Sequence, residues 1–277
     1  MEGSIERIKS TLETWQNWEA AEPLTAKPSL GRRFAQGSGH TLYEINDCLD
    51  LVLRVRHQKT SMLPGGFDRE IKIWSKAAAQ RAAPKLVYVD KKNHTVVCQK
   101  AHVLKKPPDA RQLIALMSRI HSITPCRWSL DLHYQMRRYL CLIPRSDRIN
   151  WQTLVNHPHT ASAISIIEED AQYVCHNDLT TGNIMCQDDG ILLAIDWEYA
   201  AVGSRYFDAA IAMDGKRPHY QKSALESLFG RDFDPDLFLA GRYLASLTNA
   251  LWYQVYQPNS APDPSRLNWL KMDSYDF

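Results

Sequence analysis

Two short strings in the middle of the chain carry side chains that could do chemistry together. The first is His176-Asn177-Asp178-Leu179-Thr180-Thr181-Gly182-Asn183-Ile184-Met185; the second, Ile195-Asp196-Trp197-Glu198-Tyr199, closes the apolar run that begins at Ile191. A carboxylate and an amide in one loop, followed by a carboxylate at the end of a hydrophobic strand, suit phosphoryl transfer. Moving a γ-phosphoryl group needs little covalent help, but it needs in-line positioning and neutralisation of charge on the phosphate oxygens. Magnesium supplies that charge and takes hard oxygen ligands, typically one or two protein groups with phosphate oxygens and water completing the shell. Asn183 and Asp196 are the expected ligands, and Asp178 is expected to orient an acceptor hydroxyl and accept its proton. A capped turn whose Asp and Asn merely hold a loop is the structural alternative.

His-x-Asp with Asn183 beyond it, and then Ile-Asp-x-Glu-Tyr, resembles the aminoglycoside phosphotransferase and choline kinase superfamily, which includes choline, ethanolamine and thiamine kinases. Protein kinases share the Asp-to-Asn spacing, but have His-Arg-Asp in place of His176-Asn177-Asp178 and Asp-Phe-Gly in place of Asp196-Trp197-Glu198. The resemblance implies an α+β, two-lobed, protein-kinase-like fold. Residues 1–101 would form an N-terminal nucleotide-binding lobe, a small antiparallel sheet with one crossing helix. Residues 102–277 would form a mostly helical lobe for catalysis and substrate binding. It also implies Mg2+ as cofactor and ATP as co-substrate.

The elements that must position these groups are legible from periodicity. A helix is expected from Ser4 to about Ala21, with Ile5, Ile8, Leu12, Trp15 and Trp18 at helical intervals. Three antiparallel strands follow, at Arg33 to Gln36, Thr41 to Ile45 and Leu51 to Val55. Gly37-Ser38-Gly39 between the first two is a candidate phosphate cover, because glycine lets backbone N–H groups approach an anion closely; a plain hairpin turn would look the same. Arg54 takes the place of the kinase lysine that pairs with nucleotide phosphates, as in choline-kinase-like relatives, and Arg56 shares its strand face. Glu70, in a helix from Phe67 to Arg81 after the Pro64-Gly65-Gly66 loop, could pair with Arg54 and lock it toward the phosphates; an exposed helix glutamate is the alternative. A hairpin at Leu86 to Asp90 and Thr95 to Gln99 completes a five-stranded sheet, with adenine expected on backbone groups near Val97 to Lys100.

Lys100 to Pro108, polar and proline-rich, reads as the linker. Helices are expected from Asp109 to Ser122, Ser129 to Leu142, His159 to Ala171, Tyr220 to Phe229 and Pro235 to Tyr256, with Asp147 to Asn150 unassigned and Ser265 to Phe277 partly loose. His121 closes its helix as a hydrogen-bonded core group. After Glu198, which could hold a second metal ion or a water, the loop leading to Asp208 is too short for a protein-kinase activation segment, so a small acceptor is favoured. Asp208 is expected to cap a helix or fix the catalytic loop from behind.

The composition is that of an ordinary globular chain: 277 residues, 44% hydrophobic, 23% charged, formal net charge +2. No basic block is long enough to imply nucleic acid, and no run approaches a membrane span. Six cysteines without a Cys-x-x-Cys pair fit reduced thiols in the cytoplasm.

The acceptor is less constrained. Trp252, Tyr253 and Tyr256, with Trp197 and Trp269, could wall a pocket for a cationic alcohol by cation–π contact, although aromatics at helical spacing also make core. Thiamine kinases share the Ile-Asp-Trp-Glu-Tyr form and choline and ethanolamine kinases share His-Asn-Asp, so thiamine is favoured slightly. An aminoglycoside or sugar kinase would instead use acidic groups such as Asp214, Glu226, Asp232, Asp234 and Asp236. A nucleotide-binding pseudokinase is the other rival, opposed by the intact Asp178, Asn183 and Asp196.

Overall fold

A computed structural model describes residues 2–37, 39–57, 66–262 and 264. Ser38, Pro64, Gly65, Trp269 and the segment from Ser265 to Phe277 lie outside the described residues. The chain forms two compact units, Met1–Lys106 with Ile184–Glu198, and Pro107–Asn183 with Tyr199–Phe277.

The first unit is built on the antiparallel sheet expected. Helix α1 (Glu2–Glu13) precedes β1 (Leu30–Gln36), β2 (His40–Ile45) and β3 (Leu51–Arg56); α2 (Gly66–Ala79) precedes β4 (Leu86–Asp90) and β5 (Thr95–Gln99). The strand order is β1-β2-β3-β5-β4. Strand β3 is central, with Leu53 opposite Tyr43 on one side and Val97 on the other. Side chains alternate across a strand, so β3 serves two faces. Leu51, Leu53 and Val55 join Ile8, Leu12 and Trp18 in one core cluster, which seats α1 on the sheet. Arg54 and Arg56 point to the opposite face, each only 6% exposed. Charges buried this deeply need partners, and α2 supplies one below. Residues Ile184–Cys186 and Leu192–Ala194 pair antiparallel, carrying the second string, and His102–Val103 adds a short strand beside them.

Helix α1 ends at Glu13, short of the expected Ala21, and a 3-10 turn at Trp15–Asn17 continues it. The turn keeps Trp18 in the core while the chain changes direction.

The second unit is mostly helical: α3 (Ala110–His121), α4 (Leu132–Leu142), α5 (Arg145–Val155), α6 (Pro158–Glu169), α7 (Arg205–Ala212), α8 (Pro218–Phe229) and α9 (Pro235–Tyr256). Asp109 caps α3 in a capping box with Gln112, as its place before the apolar stripe predicted. Helix α5 contains the unassigned Asp147 to Asn150. Its apolar face is thin: Trp151 and Val155 are its buried residues and Ile149 is 69% exposed, so periodicity alone could not reveal it. Helix α9 packs on α4, α6 and α7. At Gly241 an added Cβ would stand 2.9 Å from the Tyr206 carbonyl oxygen, so glycine sets the close α9–α7 approach. Tyr173–Cys175 pairs antiparallel with Ala201–Gly203, and this pair frames the first string.

No helix of the described residues is long and apolar enough to cross a membrane. All six cysteines are free.

Candidate active site

In the first unit, β3, α2 and the turn after Leu192–Ala194 bring four expected residues together. Glu70 is fully buried and bridges two guanidinium groups: Arg54 Nη2 lies 2.6 Å from its Oε1 and Arg56 Nη1 3.2 Å from its Oε2. The pairing of Arg54 with Glu70 expected from the sequence is present, and Arg56 joins it. Arg54 Nη2 also lies 3.1 Å from Asp196 Oδ1. Arg56 Nη2 is 4.0 Å from Glu198 Oε2. Trp74 of α2 lies under Arg54, its ring centroid 5.4 Å from the guanidinium carbon.

His40, which sequence reasoning did not single out, sits in the middle of this cluster. Its Nδ1 is 3.0 Å from Arg54 Nη2. Burial drives its pKa well below the usual histidine value, and the charges of Arg54, Arg56 and His57 push the same way. A neutral imidazole can therefore accept the Arg54 hydrogen bond at Nδ1. Its position beside the glycine turn was the available signal.

Asp196 adopts φ 66°, an uncommon conformation for a residue with a Cβ, and such strain concentrates at functional positions. Gly39 lies over Glu198: a Cβ there would stand 3.3 Å from Glu198 Oε2. Gly37 donates its N–H to the His40 carbonyl at 2.9 Å, so this expected phosphate donor is already committed. The N–H groups of Gln99 and Lys100 donate to the carbonyls of Lys85 and Asp50, so these two expected adenine donors are already committed.

Burial pushes the Glu198 carboxyl up to about 8, with Asp196 and Glu70 adding to the rise and Arg54 and Arg56 opposing it. Its Oε2 is buried without a hydrogen-bond partner. Two carboxylates crowded in this way, one with an unsatisfied oxygen, fit a hard divalent cation, whose charge would relieve the repulsion. The same shift gives a stability prediction. The folded chain holds this proton up to about pH 8, whereas the unfolded chain releases it near the ordinary glutamate value. Between the two the folded state binds more protons, so metal-free stability falls as pH rises from about 5 to 8. Glu198→Gln should flatten that slope, measured by urea unfolding in EDTA.

In the second unit the first string forms the loop that carries Asp178 and Asn183. Asn183 Nδ2 donates to Asp178 Oδ2 at 2.8 Å and to the Asp178 carbonyl at 2.9 Å. The amide thus orients the carboxylate and spends both its donors, which leaves its Oδ1 as a ligand oxygen. Asn177, at φ 60°, donates its side chain to the Tyr199 carbonyl at 3.1 Å. Asp208 is fully buried in α7 and accepts from the Asn177 N–H at 2.8 Å, while His121 Nε2 lies 2.9 Å from its other oxygen. Burial alone would raise the Asp208 pKa, but the hydrogen bond and charge of His121, the charge of His176 and the Asn177 N–H bring it below the usual range. Ser204 caps α7, so Asp208 fixes the catalytic loop from behind rather than capping.

Trp252, Tyr253 and Tyr256 cluster on α9, with ring centroids 5.3 Å apart from Trp252 to each tyrosine. They are half-buried or exposed, as a ligand-facing cluster needs. Tyr139 of α4 is buried and shares a hydrogen bond with Tyr199. Burial pushes its phenol up; hydrogen bonds from Tyr199, 3.0 Å away, and Gln135 oppose this, and Tyr256 and Asp178 add to it. Trp197, of the first unit, is fully buried and its indole N–H donates to the Ala194 carbonyl at 2.9 Å. A ring with no exposed surface offers nothing to a ligand, so Trp197 is packed core, not a pocket wall. Asp234, one of the acidic residues weighed for an aminoglycoside pocket, is the N-cap of α9.

The family model described as the phosphotransferase enzyme family matches residues 32–240. The Protein LicA homolog of Metamycoplasma hominis is 29% identical over 94 residues, which cover 34% of this chain and 37% of that protein. The match thus spans little more than a third of that relative's length. Among solved structures, choline kinase LicA from Streptococcus pneumoniae superposes with a TM-score of 0.71 at 14% identity, covering 94% of this chain and 92% of the other. A choline/ethanolamine kinase family protein from Mesorhizobium loti gives 0.64 at 17% identity, covering 94% and 90%. The two strings, the α+β organisation and a family match over most of its length agree: this chain belongs to the phosphotransferase enzyme family, and its fold is the one shared by the choline kinases it superposes on.

Proposed function

We propose that the protein transfers the γ-phosphoryl group of ATP to the hydroxyl of a small cationic alcohol in the cytoplasm, where its six free thiols stay reduced. Thiamine and choline both meet that description, and ethanolamine meets it when protonated. The observation that carries the reading is the Asn183 amide, which orients the Asp178 carboxylate and keeps an oxygen for a cation.

In this reading Asp178 accepts the proton of the attacking hydroxyl, or holds it in line. Asn183 fixes Asp178, and Asp208 with His121 supports the backbone behind it. Asp196 and Glu198 of the first unit are the groups that would hold magnesium, and the Asn183 oxygen of the second is available to an ion of the same kind. When bound, the ion neutralises charge on the phosphate oxygens. Arg54, locked by Glu70, pairs with nucleotide phosphates; with the Gly37 N–H already bound to the His40 carbonyl, Ser38 and Gly39 remain the expected backbone donors over them. Trp252, Tyr253 and Tyr256 receive the cationic head of the acceptor.

The aromatic assignment has a direct test. Trp252→Ala should raise KM for a quaternary or thiazolium acceptor about tenfold, the equivalent of a desolvated cation–π contact, and leave KM for ATP unchanged. Steady-state kinetics over thiamine, choline, ethanolamine and an aminoglycoside check this. Turnover of the aminoglycoside alone, indifferent to Trp252, would contradict the cationic-alcohol reading.

A further inference from the structure

We infer that Arg69 is a positioning residue for the turn that carries Asp196 and Glu198, acting through the Glu198 backbone and touching no substrate. The inference rests on the assignment of magnesium to that turn proposed above.

Arg69 lies in α2, is 2% exposed, and donates from Nη2 to the Glu198 carbonyl. A hydrogen bond from an ionised donor to a partly buried carbonyl is among the stronger ones available to a backbone. Its neighbour Glu70 holds Arg54 and Arg56. Two consecutive residues of one helix thus fix two parts of the same cluster, the guanidinium groups of β3 and the turn at 196–198. A shift of α2 would therefore move the phosphate-facing arginines and the carboxylates together.

The turn needs an external hold. Asp196 is in the left-handed region at φ 66°, which aspartate visits more readily than most residues but which is still not its preferred basin, so contacts on both sides of the turn hold it there. Ahead of it, the Ala194 N–H donates to the Ala82 carbonyl at 2.7 Å, and the Trp197 indole donates back to the Ala194 carbonyl. These contacts secure the entry to the turn. Arg69 secures the exit, at the residue whose carboxylate crowds Asp196. Without it, the turn can relax toward an unstrained φ and the two carboxylates can move apart. The ligand oxygens would then have to be gathered by the cation at the expense of its affinity.

The test is Mn2+ binding to the whole protein in the presence of ADP, read by electron paramagnetic resonance of free Mn2+, beside kinetics with magnesium. Arg69→Met should weaken Mn2+ binding about tenfold, and Arg69→Lys, which keeps the charge and loses the fork, about threefold. At saturating magnesium kcat should return to within about threefold of wild type, with KM for the acceptor unmoved. A purely structural role would lower Tm and the active fraction without moving the metal affinity of the folded molecules. Wild-type Mn2+ affinity in the folded Met variant overturns the inference; should that variant fail to fold, wild-type affinity in the Lys variant overturns it. Asp196→Asn separates the two readings. If wild type binds Mn2+ and Asp196→Asn binds it equally well, the metal assignment fails, whatever Arg69 does.

Discussion

Replacing Asp178 with asparagine is expected to lower kcat about a thousandfold, within the usual worth of a positioned general base. The substitution is nearly isosteric. Asn183 Nδ2 keeps its bond to the residue-178 carbonyl, and an asparagine Oδ1 can still accept its second. The loop therefore keeps its shape and loses only the capacity to take a proton. KM for ATP should stay within about twofold, because the groups proposed for the phosphates, Arg54 and the glycine turn, are untouched. Acceptor-dependent ADP release measures both constants. A kcat within tenfold of wild type would mean that Asp178 holds the loop and does no chemistry.

The second large effect is on stability. Glu70→Gln should destabilise the protein by about 3–5 kcal/mol, the range for breaking a buried ion pair and leaving charge behind. Glu70 compensates two guanidinium groups at once, and both are buried. A glutamine amide fits the space but brings no charge, and its NH2 group would face the arginines. Asp196 partly compensates Arg54, whereas Glu198, its carboxyl pushed up to about 8, is largely protonated at neutral pH and cannot fully take over Arg56. Thermal unfolding should show Tm lower by roughly 10 °C or more for a chain of this size. A fall of less than about 2 °C would show that water compensates the arginines and that the Arg54–Glu70 pair is not a structural lock. The variant should also show weaker ATP binding, since Arg54 would lose its orientation.

Much of this arrangement was legible in the sequence because it rests on local rules. Alternation in β3 put Arg54 and Arg56 on one face, and a helical stripe beginning at Phe67 put Glu70 on α2. The Asp178 and Asn183 spacing indicated their shared loop. What could not be read depends on the path of the chain in three dimensions. His40 is an unremarkable strand residue until the sheet register sets it opposite Arg56, within hydrogen-bond reach of the Arg54 guanidinium. Arg69 looks like a surface helix residue until α2 is packed with the turn at Glu198. The positive φ at Asn177 and Asp196 is carried by the residue types that visit it most readily after glycine, but asparagine and aspartate are common enough elsewhere that the sequence did not mark these two. Trp197 was misread for a related reason. Its place between two acidic residues resembles a site, but its ring turns inward and its N–H is satisfied by Ala194. The aromatic residues of α9 share helical spacing with ordinary core, and only their partial exposure separates the two uses.

The central claim is transfer from ATP to a small cationic alcohol that requires both a divalent cation and Asp178. Its most direct test follows 31P NMR of wild type and Asp178→Asn incubated with ATP, with and without magnesium, against thiamine, choline, ethanolamine, 5-methylthioribose and an aminoglycoside. The account predicts a new phosphomonoester signal, equal in amount to the ADP formed, with thiamine, choline or ethanolamine, present with magnesium and absent from Asp178→Asn. ATP consumption that no acceptor changes, or a phosphomonoester formed equally by Asp178→Asn, would contradict it.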